Sequence, residues 1–166
     1  MLPSAHFFMV IIIWYVFYVL KIHIKMMFLV MLISGFLIDL DILFTREHRR
    51  SPFHNFLFWA IISIFLSFTS LMYSLSLIAS FTVHIILDSI DWGVYPFYPI
   101  SKKSLGLRIL AKKTNLDPQK ESIITFIKAN LSDKRIMLLE ITIDAIGLVI
   151  LAHVINQIGF FEFLMD

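Results

Sequence analysis

The sequence predicts an all-α, polytopic integral membrane helical bundle of about five spans, with its N-terminus in the cytoplasm. Three observations predict it. Hydrophobic residues make up 59% of the 166 and charged residues 16%, against about 45–50% and about 25% in a soluble domain. The mean hydropathy is +0.86, an apolar excess too large to bury in a core of this size, so lipid must form part of the solvent. Twelve of the fourteen Lys and Arg fall in two stretches, 46–50 and 102–135, which orients spans rather than binding nucleic acid. The whole chain, 1–166, reads as a single membrane domain. It contains no cysteine, which excludes a disulfide framework and any thiolate metal site.

The first span covers about 3–20. No basic region precedes this run and no small-residue cleavage site follows it, so it reads as a retained span and not a signal peptide. A short polar break, Lys21 to Lys25, leads to a second span at 26–44, apolar except for Asp39 and Asp41 near its end. The basic loop Arg46-Glu47-His48-Arg49-Arg50-Ser51-Pro52 follows.

Residues 53–90 contain neither Pro nor Gly. As one helix they would extend about 57 Å at 1.5 Å per residue, nearly twice the roughly 30 Å hydrocarbon thickness. Two spans, 53–72 and 74–90, fit better, with the turn marked by Thr69, Ser70, Ser74 and Ser76. Residues 91–135 form a basic loop that opens on Asp91-Trp92-Gly93, with Pro96 and Pro99 beyond. Within it Asp117 can cap a short interfacial helix over about 117–130, with Pro118 at its first position. Ile123, Ile124, Phe126, Ile127 and Leu131 would line one face of that helix. The last span is 136–161.

With five spans, the loops 46–50 and 91–135 share one face, and twelve Lys and Arg lie there. Basic loops stay in the cytoplasm, so that face is cytoplasmic. The ionisable residues within the spans gather on it too. His6 opens the first span, Asp39 and Asp41 close the second, His54 opens the third, and His84 and Asp88 close the fourth. Glu140 and Asp144 open the fifth. An ionisable group at mid-span costs roughly 2.5–3.5 kcal/mol and less toward the ends, so this placement calls for a reason.

His84 and Asp88 stand four apart on one helix face, where they can bind one cation, or the carboxylate can orient the imidazole. The alternative is a hydrogen-bonded pair at a helix end. Asp39 and Asp41 can both face one site only if their helix ends near Leu40; otherwise one of them reaches out to water. Topology alone can account for Arg49 and Arg50, and a solvated loop for His48; the alternative is that His48 and Arg49 belong to the site. His23 and His153 are assigned structural roles.

These residues resemble a known family. Gly35-Phe36-Leu37-Ile38-Asp39-Leu40-Asp41, then His48-Arg49 with His54, then His84 and Asp88 followed by Gly93 and Pro99, resemble the YdjM-type membrane-bound metal-dependent hydrolases. That pattern is a His near the N-terminus, G-x-x-P-D-x-D, H-R-G-x-T-H-S and H-x-x-x-D. The resemblance covers about residues 1–100. It departs at Ile38 for proline, Arg50 for glycine, Phe53 for threonine and Asn55 for serine. A remoter similarity is to zinc-dependent phospholipases C and P1-type nucleases, which also carry an Asp, a His some 13–15 residues later, and an H-x-x-x-D pair.

The imidazole and carboxylate set suits Zn²⁺ first, with Mn²⁺ or Fe²⁺ as alternatives. His6, Asp41, His54, His84 and Asp88 are the expected ligands, and Asp39 a ligand or base. Arg49 can hold a phosphate oxygen bidentately, and His48 can protonate a leaving group. The expected function is hydrolysis of a phospholipid-like phosphoester at the cytoplasmic interface of the plasma or inner membrane. Membrane lipids are the expected partners, with no nucleic acid. The rivals are a non-catalytic adaptor that binds lipid or a partner through the basic loop, and an ion or proton transporter.

Overall fold

In a computed structural model of the chain, residues 3–22, 26–35, 38–39, 51–107, 109–110 and 123–158 are described. Six α-helices account for most of them: α1 (Pro3–Val19), α2 (Met27–Gly35), α3 (Phe56–Ser67), α4 (Leu71–Asp91), α5 (Ile123–Ser132) and α6 (Lys134–Ile158). A 3₁₀ turn, Pro52–His54, precedes α3. The described residues include no strand, only an isolated antiparallel bridge between Val94 and Leu105. The fold is all-helical, as the sequence predicts.

The helix ends follow from local chemistry. α1 stops in a Schellman arrangement, in which Ile22 N–H donates to Phe17 O (3.1 Å) and Lys21 N–H to Tyr18 O (3.0 Å). This puts Lys21 in the left-handed region at φ 55°. α3 is capped by Asn55, whose side chain accepts from Leu57 N–H at 2.8 Å. α4 closes on Gly93 at φ 83°, whose N–H donates to Asp88 O at 2.9 Å. Asp133 starts α6, its Oδ1 accepting from Arg135 N–H at 3.0 Å and Ile136 N–H at 3.4 Å.

The helices alternate in direction. Val10 packs at Gly35 and Trp14 against Phe28, so α1 and α2 are antiparallel. Ser80 donates to Met31 O and His84 meets Gly35 O, so α2 and α4 are parallel. Ser63 pairs with Ser74 and His54 with His84, which makes α3 and α4 antiparallel. Phe8 lies against Gly147 and Tyr15 against His153, so α1 and α6 run together. One end of the bundle therefore gathers the start of α1, the end of α2, the start of α3 and the end of α4. We call it the near end.

Helix lengths refine the expected spans. Two segments, Leu71–Asp91 and Lys134–Gln157, are long and apolar enough to cross a membrane; Ser4–Val19 and Phe56–Ser67 are apolar but shorter. The expected span 26–44 is helical over 27–35, and 53–72 over 56–67. The turn between α3 and α4 falls at 68–70, at the early edge of the stretch that marked it. Ser74 and Ser76 instead lie within α4, buried. Ser76 Oγ donates to Met72 O at 2.6 Å, and Ser74 Oγ pairs with Ser63 Oγ at 2.6 Å. Of the helix expected over about 117–130, the structure shows 123–132 as helical; 111–122 lie outside the described residues.

The core is built where helices cross. Val10, Ile11, Trp14, Met27, Met31 and Val154 join α1, α2 and α6. Trp59, Leu77, Phe81 and Ile85 join α3 and α4, with Ile38 beyond α2. Ala5, Leu87 and Ile143 tie α1, α4 and α6 at the near end. Outward faces are apolar as well: Phe65 is 68% exposed and Val149 71%. Apolar side chains on both faces of a helix are what a lipid environment accommodates.

Candidate metal centre

Five side chains converge at the near end. His6 lies in the second turn of α1, Asp39 follows α2, and His54 ends the 3₁₀ turn before α3. His84 and Asp88 stand one turn apart near the end of α4. Each is buried; Asp39, the most open, is 8% exposed. Local structure explains their delivery. α2 is described to Gly35, and Ile38 and Asp39 are in a 3₁₀ conformation. Ser51-Pro52 starts the turn that holds His54, with proline at the first position, where no N–H is required.

All three imidazoles present Nε2 to the two carboxylates. His6 Nε2 lies 3.2 Å from Asp88 Oδ1 and 3.6 Å from Asp39 Oδ2. His54 Nε2 lies 3.4 Å from Asp88 Oδ2 and 3.6 Å from Asp39 Oδ1. His84 Nε2 lies 3.5 Å from Asp88 Oδ2 and 3.6 Å from Asp39 Oδ1. The rings of His6 and His84 stack at 4.1 Å between centroids.

The tautomer of His84 follows from its other nitrogen. Nδ1 lies 2.7 Å from Gly35 O. A carbonyl only accepts, so Nδ1 carries the proton and donates. In the neutral ring Nε2 is then an acceptor lone pair. That lone pair faces His54 Nε2 at 3.2 Å and two carboxylates. A proton on His54 Nε2 or a cation held between the donors satisfies that lone pair, and two carboxylates beside it favour positive charge there. His54 Nδ1 lies 3.5 Å from Ser51 Oγ, a hydroxyl that can donate or accept, so this contact leaves both tautomers of His54 available. Neither nitrogen of His6 makes a hydrogen bond of good geometry among the described residues.

Distance and charge both fit a metal ion. Two donors bound to one zinc ion at about 2.0–2.1 Å in a tetrahedral arrangement lie roughly 3.4 Å apart. The separations here run from 3.2 Å to 3.6 Å. One donor atom each from His6, Asp39, His84 and Asp88 lies within 4.8 Å of all the others, and His54 stands on the same carboxylates. Two buried carboxylates cost several kcal/mol each to desolvate, and a divalent cation balances their charge. This buried His and Asp group can hold a metal ion.

Of the residues singled out in the sequence, the structure brings together His6, Asp39, His54, His84 and Asp88. Asp41, His48 and Arg49 lie outside the described residues, as does His23. Glu140, buried, and Asp144 lie on α6 and are not part of the constellation. His153 sits at the opposite end of the bundle, edge-on to Tyr15. It lines a cavity of about 300 Å³ with Tyr18, Val154 and Gln157.

Sequence reasoning missed two contributors. The Gly35 carbonyl sets the His84 tautomer, and Ser51 faces His54. A backbone carbonyl leaves no mark in a sequence. The available signal was the glycine itself, since a Cβ at Gly35 would run into Val10 and Ser80. Comparison with protein-family models, curated proteins and solved structures yields no match.

Proposed function

We propose that the chain is a membrane-bound metal-dependent hydrolase acting on phosphoesters, phospholipid-like ones foremost, at the cytoplasmic interface. One observation carries this reading: the acceptor Nε2 of His84 faces His54 Nε2 and two carboxylates in a buried pocket. The YdjM-type resemblance points to the same chemistry. In this reading His6, His54, His84 and Asp88 are ligands, with Asp39 a ligand or, as the most exposed of the five, a base toward water. Zn²⁺ suits the donor set best, with Mn²⁺ or Fe²⁺ next. Bound there, the ion would activate water and polarise a phosphoryl oxygen. Asp41 would complete the ligand set, Arg49 would grip a phosphate oxygen, and His48 would give a proton to the leaving group.

The alternating directions of α1, α2, α3, α4 and α6 support five crossings. The basic stretches 46–50 and 102–135, which the chain carries between elements that meet at the near end, support a cytoplasmic N-terminus and a cytoplasmic centre. A centre at the end of the bundle would meet lipid headgroups, which is why a lipid phosphoester is the favoured substrate. Clustering at one end counts against a transporter, whose ionisable residues would be spread through the membrane depth.

The test is the metal content of protein purified in detergent without chelator, for the wild type, His84→Ala and Asp88→Ala. About one or two ions per chain in the wild type, lost in both variants while their helical spectrum is kept, is the expected result and opens a phosphoesterase screen. A wild type that stays metal-free after supplementation with zinc and manganese would overturn the reading.

A further inference from the structure

A second surface at the near end has no part in the metal centre. The loop after α4 is fastened by its buried side. Trp92 and Val94 are buried, the Val94–Leu105 bridge closes the loop, and Pro96 O accepts from Phe56 N–H at 2.7 Å. Asn55 Nδ2 also donates to Tyr98 O. Trp92 and Leu110, which bracket the loop, pack with Ala129 of α5 and Ile136 of α6 into one small core. The loop and α5 therefore share a buried floor.

The outer sides of the loop and of α5 are apolar where a soluble surface would be polar. Ile100 is 79% exposed and Leu107 61%, and on α5 Ile124 is 61% and Leu131 53% exposed. Lys102 and Lys103 of the loop and Lys128 of α5 are exposed as well. Isolated exposed apolar residues need no explanation, but a patch rimmed by charge does. Alternating apolar and basic groups match a lipid interface, with aliphatic tips among the upper acyl chains and ammonium groups at the phosphates. At the start of α6, which shares that floor through Ile136, Leu138 is 65% exposed; a lipid surface would cover it too.

We propose that the 94–107 loop and α5 together form an interfacial platform that binds the anionic lipid leaflet on the near side. The platform rests on the membrane reading and not on the hydrolase chemistry. It holds the His54 end of the bundle at headgroup depth, through Asn55 and Phe56. Its partner is an anionic lipid surface, as opposed to a protein docked on the same apolar side chains.

The chain has no cysteine, so single probes can be placed without background. Ile100→Cys and Leu131→Cys carry an environment-sensitive fluorophore in full-length protein in nanodiscs of phosphatidylcholine, with or without phosphatidylglycerol. The expected result has three parts. Emission is blue-shifted, nitroxides on the upper acyl chain quench it, and iodide protection rises severalfold with phosphatidylglycerol. Lys102→Glu with Lys103→Glu and Lys128→Glu removes that rise. Equal iodide quenching in both lipids overturns the proposal. So does shielding from iodide and nitroxide alike, the signature of a surface covered by protein. Bound metal measured on the same samples separates failure of the platform from failure of the metal centre.

Discussion

Nε2 of His84 lies 3.2 Å from Nε2 of His54, across two helices that meet head to tail. Each ring is held from behind, His84 by the Gly35 carbonyl at 2.7 Å and His54 by Ser51 Oγ at 3.5 Å. Groups that orient a ligating imidazole matter nearly as much as the ligand, at about 10–100-fold in metal affinity. Ser51→Ala should therefore weaken metal binding by about tenfold and leave the helical content intact. Chelator competition on purified protein measures it. An unchanged affinity would remove Ser51 from the site.

The hydroxyls of Ser63 and Ser74 face each other at 2.6 Å, buried between α3 and α4. Hydrogen bonds between membrane helices couple by about 0.6 kcal/mol on average and at most about 1.7. Ser63→Ala and Ser74→Ala should each lower stability, and the double variant should lose less than their sum. A double-mutant cycle of unfolding in mixed micelles tests this; strict additivity would mean the pair carries no energy.

Lys21 holds a left-handed conformation at φ 55°. For a residue with a Cβ this costs roughly 1–2 kcal/mol, whereas glycine adopts it freely. Lys21→Gly should raise the thermal midpoint, with a gain of about 1 kcal/mol. A midpoint that falls would show that the lysine side chain contributes more than the backbone costs.

Ser70, in the turn between α3 and α4, and Lys103, in the loop after α4, lie at opposite ends of α4. In intact cells Ser70→Cys should react with an impermeant maleimide, and Lys103→Cys only after permeabilisation. Both cysteines reacting from one side would rule out the crossing of α4.

Much of the site was legible because ionisable residues in an apolar chain are conspicuous. His6, Asp39, His54, His84 and Asp88 stood out against Ile, Leu and Phe, and counting spans put them on one face. The split of 53–90 into α3 and α4 was legible from length alone. The 3₁₀ conformation at Ile38 and Asp39 was not, because the apolar run continues to Phe44 without proline. The exact turn was missed for a similar reason. Ser74 and Ser76 resemble turn residues in a sequence, but in α4 they bond to Ser63 and to Met72 O. Asn130, Asp133 and Glu140, buried around the start of α6, drew attention only in part, since their burial depends on tertiary packing.

The five converging side chains come from four separate stretches of chain, and only His84 and Asp88 share a helix. Until α4 is in place, the growing polypeptide owns half a cage. In a membrane, Asp39 would then stand without His84 and Asp88 beside it. α6 supplies none of the five, so a chain cut short after α4 would still carry all of them. An ion held there would clasp α1, the end of α2, the start of α3 and α4 into a single knot. Stripping it would loosen the first half of the protein as a unit rather than one pocket.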